Sequence, residues 1–152
     1  MNKPGKYSKL KYEACVAAVS DTRGYLMHHS LKAAALHAPD FREFVRDLRE
    51  GIGAPFVLMI DNARIHVADD NFDLYEELGI TVIRNVPYRP DLMGIEAVWK
   101  LAKDEYRLRV RRYTVQGVDW DQAAEITDIL HGLDTHSVRE CARKGLERAL
   151  VA

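Results

Sequence analysis

The chain is poor in three things that often define a protein's class. It has two cysteines in 152 residues, Cys15 and Cys141, far apart and without metal-ligand spacing. That excludes a disulfide framework and a cysteine-ligated zinc site, and it suits a reducing, intracellular compartment, the nucleus if the source is a eukaryote. Net charge is nearly absent, −1 from 22 basic and 23 acidic residues. No global basic field marks a dedicated nucleic-acid binder, so any contact with DNA must rest on local patches. Long apolar runs are missing too: nothing approaches the roughly eighteen residues of a membrane span, and no apolar signal segment opens the chain. What is present is a 47% apolar composition, enough for one domain with a proper core and too short for two comfortable ones.

Lys3, Lys6, Lys9 and Lys11 make residues 1–11 a basic tail that Pro4 and Gly5 keep from regular structure, able to lie along phosphates or simply to be solvated. Tyr12 to Ser20 and Tyr25 to Leu31 read as two strands of a hairpin around Asp21-Thr22-Arg23-Gly24. His28 and His29 then point to opposite faces and cannot share a metal. Pro39 opens a helix with Phe41, Phe44, Val45 and Leu48 on one stripe, ended by Gly51 and Gly53. Phe56 to Ile60, a helix near Ala68 to Leu78, and Ile80 to Val86 form a β-α-β unit with a right-handed crossover. The five acids Asp69, Asp70, Asp73, Glu76 and Glu77 scatter around that helix as a solvated face, not a metal site, and they repel DNA.

The most informative stretch runs from Asp61 to Trp99. Asp61 comes directly after Phe56-Val57-Leu58-Met59-Ile60, a continuous apolar run expected to be a strand buried on both faces. The carboxyl end of such a strand is where open α/β sheets bind ligands. Glu96 stands near the start of a helix whose core stripe is Ile95, Val98, Trp99, Ala102, Tyr106 and Val110. Alone, either acid has an ordinary explanation, because an Asp after a strand often caps the next helix and a Glu in a first turn suits the helix dipole. They occur together with Pro87-Tyr88-Arg89-Pro90-Asp91-Leu92, however, and 34 residues separate them.

At these positions the chain resembles the DDE transposases of the Tc1/mariner and IS630 superfamily. The resemblance rests on Asp61-Asn62, His66, Pro87-Tyr88, Pro90-Asp91-Leu92, Ile95-Glu96 and Trp99, at the family's spacing, and spans roughly residues 11 to 112. Met93-Gly94 departs from the Asn-Pro of the family pattern, where proline would preset the first helical turn. The resemblance implies an RNase H-like α/β fold, a mixed sheet with flanking helices, over a core of residues 12–112. It also implies DNA cleavage and strand transfer with Mg²⁺ or Mn²⁺, and Asp61 and Glu96 as catalytic metal ligands. Hard divalent ions prefer such oxygen donors.

The family's first Asp lies on a strand before the hairpin, and the chain is expected to lack that strand as an N-terminally truncated member. Asp21, at the hairpin tip, is too far from Asp61 to replace it, since a five-residue strand spans roughly 17 Å. His66 is expected to pack or hydrogen-bond beneath the site, because imidazole suits Mg²⁺ poorly. Either the hairpin pairs directly with the Asp61 strand, or another polypeptide, an upstream piece or a second copy, donates a strand.

Lys100, Lys103 and Arg107 share the Glu96 face of their helix, with Arg109, Arg111 and Arg112 beyond them. They read equally as a DNA-backbone strip and as solvated residues, Glu96 to Lys100 being an ordinary helix pair. Residues 113–152 read as a helical extension. One helix is capped by Asp119 and runs from Trp120 to His131, and another is capped by Thr135. The chain is then either a DNA-cleaving enzyme or a catalytically inactive transposon-derived fragment that binds DNA or protein.

Overall fold

The computed structural model describes residues 13–32 and 34–152. The basic tail and Tyr12 fall outside them. The elements in order are β1 (Glu13–Ser20), β2 (Gly24–Lys32), α1 (Ala38–Ile52), β3 (Val57–Ile60), α2 (Asp69–Glu77), β4 (Thr81–Arg84), a 3₁₀ turn (Pro90–Leu92), α3 (Gly94–Gln116), α4 (Gln122–Gly132) and α5 (Thr135–Val151). No helix among them is long and apolar enough to cross a membrane.

The strands form two separate ribbons. β1 and β2 pair antiparallel from Glu13 with Lys32 to Ser20 with Gly24, and β3 and β4 pair parallel from Val57 with Thr81 to Ile60 with Arg84. Among the described residues no ladder joins β1 to β3. Of the two expected arrangements, direct pairing of the hairpin with the Asp61 strand is therefore not the one adopted.

Helices cover both faces. On one side Phe41, Phe44, Val45 and Leu48 of α1 and Leu74 and Tyr75 of α2 pack with Ala18, Ile60 and Ile80. On the other, Ala102 of α3 and Ile129 and Leu130 of α4 pack against Cys15 and Tyr25. The adjacent histidines of β2 report both layers. His29 Nε2 lies 3.0 Å from Asp47 Oδ2 of α1. His28, on the opposite face, meets Tyr25 Oη at 2.6 Å and Thr127 Oγ1 of α4 at 3.2 Å. Burial, and next the neighbouring His131, push the His28 pKa down.

Three expectations about these elements need correction. The Asp61 strand is not buried on both faces: Val57 is 61% exposed, and Ile83 on the adjoining strand is 46% exposed. Leu58 and Ile60 face the α1 layer, while the opposite face at this end of the ribbon has no full covering. Asp121, not Asp119, caps α4, its carboxylate accepting from Ala124 N at 2.8 Å. Likewise Asp134, not Thr135, caps α5 by accepting from Ser137 N at 2.8 Å. In both cases a carboxylate stands at the position from which it reaches the N3 amide, and that reach decides the cap.

The helix expected at Ala68 to Leu78 forms as α2, and all five of its acids are exposed. Asn71, Leu74 and Tyr75 supply its buried face.

Candidate active site

Asp61 sits just past β3, and the chain leaving it is held by a compact network. One carboxylate oxygen, Oδ1, accepts from Ala63 N at 2.9 Å and from His66 Nδ1 at 2.6 Å. A carboxylate acceptor requires the hydrogen on Nδ1, which fixes the tautomer. The His66 ring lies 4.4 Å from that of Phe41, centroid to centroid. Its backbone is pinned as well: His66 O accepts from Tyr75 Oη at 2.9 Å and from Asn71 Nδ2 at 3.2 Å, and Ile65 O accepts from Asn71 Nδ2 at 2.6 Å. Asn71 is fully buried, so these bonds form away from competing water and hold firmly. Burial pushes the Tyr75 phenol up to about 12, which keeps it a donor. Oδ2 of Asp61 takes part in none of these bonds, and the side chain is 48% exposed.

Asn62 ties the ends of β3 and β4 together. Its Nδ2 donates to Asn85 O at 2.7 Å, and its Oδ1 accepts from Arg84 Nη2 at 3.0 Å. Asn85 in turn donates from Nδ2 to Arg89 O at 2.7 Å, shaping the turn that leads to Glu96. Its other amide atom, Oδ1, is buried with no protein partner among the described residues. Sequence reading missed Asn85. The only signal was an amide directly after a strand, which many turns share.

The turn between β4 and α3 is itself constrained. Tyr88 has φ of 61°, the left-handed region, and its side chain is wholly exposed. Arg89 and Asp91 form two 2.8 Å hydrogen bonds in a fork. Leu92, buried, anchors the 3₁₀ turn beneath. The departure at Met93-Gly94 has a spatial cause: a Cβ at Gly94 would stand 2.5 Å from Cys141 O and 2.6 Å from Ala142 Cα of α5. A proline ring there would enter the α5 backbone. α3 nevertheless starts at Gly94, with Glu96 exposed in its first turn.

Asp61 and Glu96 thus meet at one cleft of about 440 Å³, lined also by Asn62, Asn85, Pro87, Tyr88 and Met93. The cleft offers two carboxylates, hard oxygen donors of the kind that Mg²⁺ and Mn²⁺ take while keeping waters of their own. No third acid, histidine or cysteine joins them in a cluster among the described residues. Asp21 lies far away. Gly24, at the hairpin tip, packs on Thr135, whereas Gly94 packs on Gly145. Ten positions of α5 separate those contacts, about 15 Å at 1.5 Å per residue.

Of the cationic strip, Lys100, Lys103 and Arg107 are exposed. No ion pair joins Glu96 to Lys100 among the described residues, and Arg107 lies 3.0 Å from Asp104. Arg109 does not belong to the strip. It turns into the α3–α4 contact, where Asp128 at 2.5 Å, Glu105 at 2.9 Å and Glu125 at 3.1 Å surround it and raise its pKa further. Trp99 is half-buried beneath the same helix and packs with the α4 cluster.

An antiparallel hairpin, a parallel β-α-β unit and covering helices, with two acids meeting at one end, define an RNase H-like core. Residues 6–116 match the model of the DDE superfamily endonucleases, and the chain belongs to that family. No curated protein matches it. Among solved structures, the Mos1 transposase paired-end complex with left transposon end is similar at a TM-score of 0.66 and 17% identity, over 99% of this chain and 44% of that one. The chain therefore spans less than half of that relative. The Mos1 catalytic domain with raltegravir and Mn is similar at 0.59 and 16%, over 84% and 68%; that domain is also known with Mg. The catalytic core of BIV integrase is similar at 0.50 and 18%, over 92% and 97%.

Proposed function

We propose that this chain carries part of the active site of a DNA-cleaving and strand-transferring transposase, with Asp61 and Glu96 as ligands for Mg²⁺ or Mn²⁺. The observation that supports this is the meeting of two acids, 34 residues apart in sequence, in one cleft. When bound, a pair of such ions activates the attacking oxygen and stabilises the leaving one.

The protein's own part is positioning. His66 occupies Asp61 Oδ1 and would leave Oδ2 to an ion, the arrangement by which hydrogen-bonded ligands gain affinity. Asn62 and Asn85 hold the two strand ends and the turn in register. Tyr88, between Pro87 and Pro90, projects at the rim, and Asp91 braces the turn through Arg89. Lys100, Lys103 and Arg107 extend from Glu96 along α3 and would hold DNA phosphates, fixing the duplex without reading its sequence. The Mos1 complexes with transposon DNA and with Mn or Mg make this the chemistry to test first.

A second reading is favoured by one observation, the absence of a third acid beside the two among the described residues. On it, residues 1–152 alone are inactive and act as a DNA- or protein-binding fragment until an upstream polypeptide, or a second copy, completes the site. A Mn²⁺-dependent nicking and strand-transfer assay, with Asp61→Ala and Glu96→Ala as controls, separates the two. Activity of residues 1–152 that both substitutions abolish supports the complete enzyme. Activity only after an upstream segment bearing an Asp is added supports the incomplete site. Activity that survives both substitutions overturns the assignment of these acids.

A further inference from the structure

α3 buries one face against α4 and α5 and carries the basic strip along another. A third face is apolar and uncovered. Leu101, Leu108 and Val115 are 41%, 56% and 87% exposed. At about 100° per residue they fall within about 40° of one another, a row seven residues apart that drifts by about 20° in each heptad. A single exposed leucine needs no explanation. Three apolar side chains on one line of a 23-residue helix have the spacing of a helix–helix seam.

The charges beside the row are sorted by sign. Asp104 and Glu105 stand on either side of it one turn before Leu108, and Arg111 and Arg112 stand on either side one turn after. Asp104 shares its flank with Arg111, and Glu105 shares the other with Arg112. An antiparallel copy turned about a two-fold axis at Leu108 therefore brings Asp104 to Arg111 of the second copy and Glu105 to Arg112 of the second copy, each within about 1.5 Å of level. Leu101 then meets Val115, and Leu108 meets itself. A parallel copy would instead set Asp104 against Glu105 and Arg111 against Arg112, like charges that oppose binding. Within one chain Asp104 and Glu105 already meet Arg107 and Arg109 at 3.0 and 2.9 Å. Arg111 and Arg112, both exposed, join no ion pair among the described residues.

We propose that this face of α3 is a self-association surface, on which a second copy of the chain seats its own α3 antiparallel about Leu108. The basic strip lies about 100° around the helix from the apolar row, so pairing leaves it open. The two-fold keeps each flank on its own side, and Lys100, Lys103 and Arg107 of both copies come to stand on one side of the pair. The two Glu96 residues, each twelve positions from Leu108, lie about 36 Å apart along the shared axis. The proposal does not rest on the ion chemistry.

The test is sedimentation velocity of the full chain without metal or DNA, from about 5 to 500 µM. The chain should pass from monomer to dimer across that range, and Leu108→Glu should stay monomeric with an unchanged circular dichroism spectrum. Arg111→Glu should raise the dimer dissociation constant at least about tenfold, and adding Asp104→Arg to it should bring the constant back to within about threefold of the parent value. Oxidative cross-linking reads the direction: Leu108→Cys should link to its own counterpart, and Leu101→Cys, about 21 Å from its counterpart along the axis of an antiparallel pair, should not. A monomer at every concentration would overturn the proposal, as would a dimer that survives Leu108→Glu, a failure of Asp104→Arg to rescue Arg111→Glu, or a Leu101→Cys self-link. Because metal and DNA are absent, failure here leaves the nicking assay standing, and failure there leaves this one standing.

Discussion

His66 is the residue whose placement says most about Asp61. It bonds one carboxylate oxygen, Oδ1, and Oδ2 takes part in none of the network's bonds, so under the proposed role its loss should weaken the site without removing a ligand. For His66→Ala we expect Mn²⁺ affinity to fall about 10- to 100-fold, measured by calorimetric titration, with His66→Gln recovering part of it. Equal affinities would mean that Asp61 needs no such support. Titration supplies a second test. Arg89 holds Asp91, Ser137 holds Asp134 and Arg143 holds Glu140 below the ordinary carboxylate range. A depressed native pKa contributes stability that is present above that range and lost as the pH falls through the native values. The melting temperature should therefore drop on acidification below the carboxylate range, and the triple variant Asp91→Asn, Asp134→Asn, Glu140→Gln should show a flatter profile there. A local motif singled out Asp61, Asn62 and Glu96 in the sequence, and the structure brings all three to one cleft. Asn71, Asn85 and Arg109 were not legible there, since each takes its partners from a strand, loop or helix that no spacing rule brings near.

Among the elements, the junction of α3 with α5 carries the clearest consequence. Gly94 and Gly145 pack so closely that a Cβ on Gly145 would meet the Gly94 backbone. Gly94→Ala should destabilise the fold by about 1 to 3 kcal/mol, the usual cost of overpacking, and Gly94→Pro should cost more despite the favourable φ of proline in a first turn. Urea denaturation checks both, and an unchanged midpoint for Gly94→Pro would contradict the packing. Leu92, 1% exposed beneath the 3₁₀ turn, should cost about 2 to 5 kcal/mol when cut to alanine. The helices were legible from apolar spacing and, for α1, from Gly53, which adopts the left-handed conformation at the helix end, whereas Gly51 lies within the last turn. The reason for Gly94 was not, because its partner lies far along the chain, on the last helix. The exposure of Val57 in β3 was equally hidden, because an apolar run does not record which faces of a strand the helices cover.

For the molecule as a whole, the proposed chemistry requires two acids from distant parts of the chain to reach one ion. The family match and the similar structures establish the membership and the RNase H-like fold, while the use of the cleft is a property of these side chains. The most direct measurement is Mn²⁺ titration of the full chain monitored by electron paramagnetic resonance, with Asp61→Asn and Glu96→Gln singly and together. We expect each single variant to weaken binding by at least about tenfold and the double variant to lose the site. Binding that is unchanged in the double variant would contradict the account.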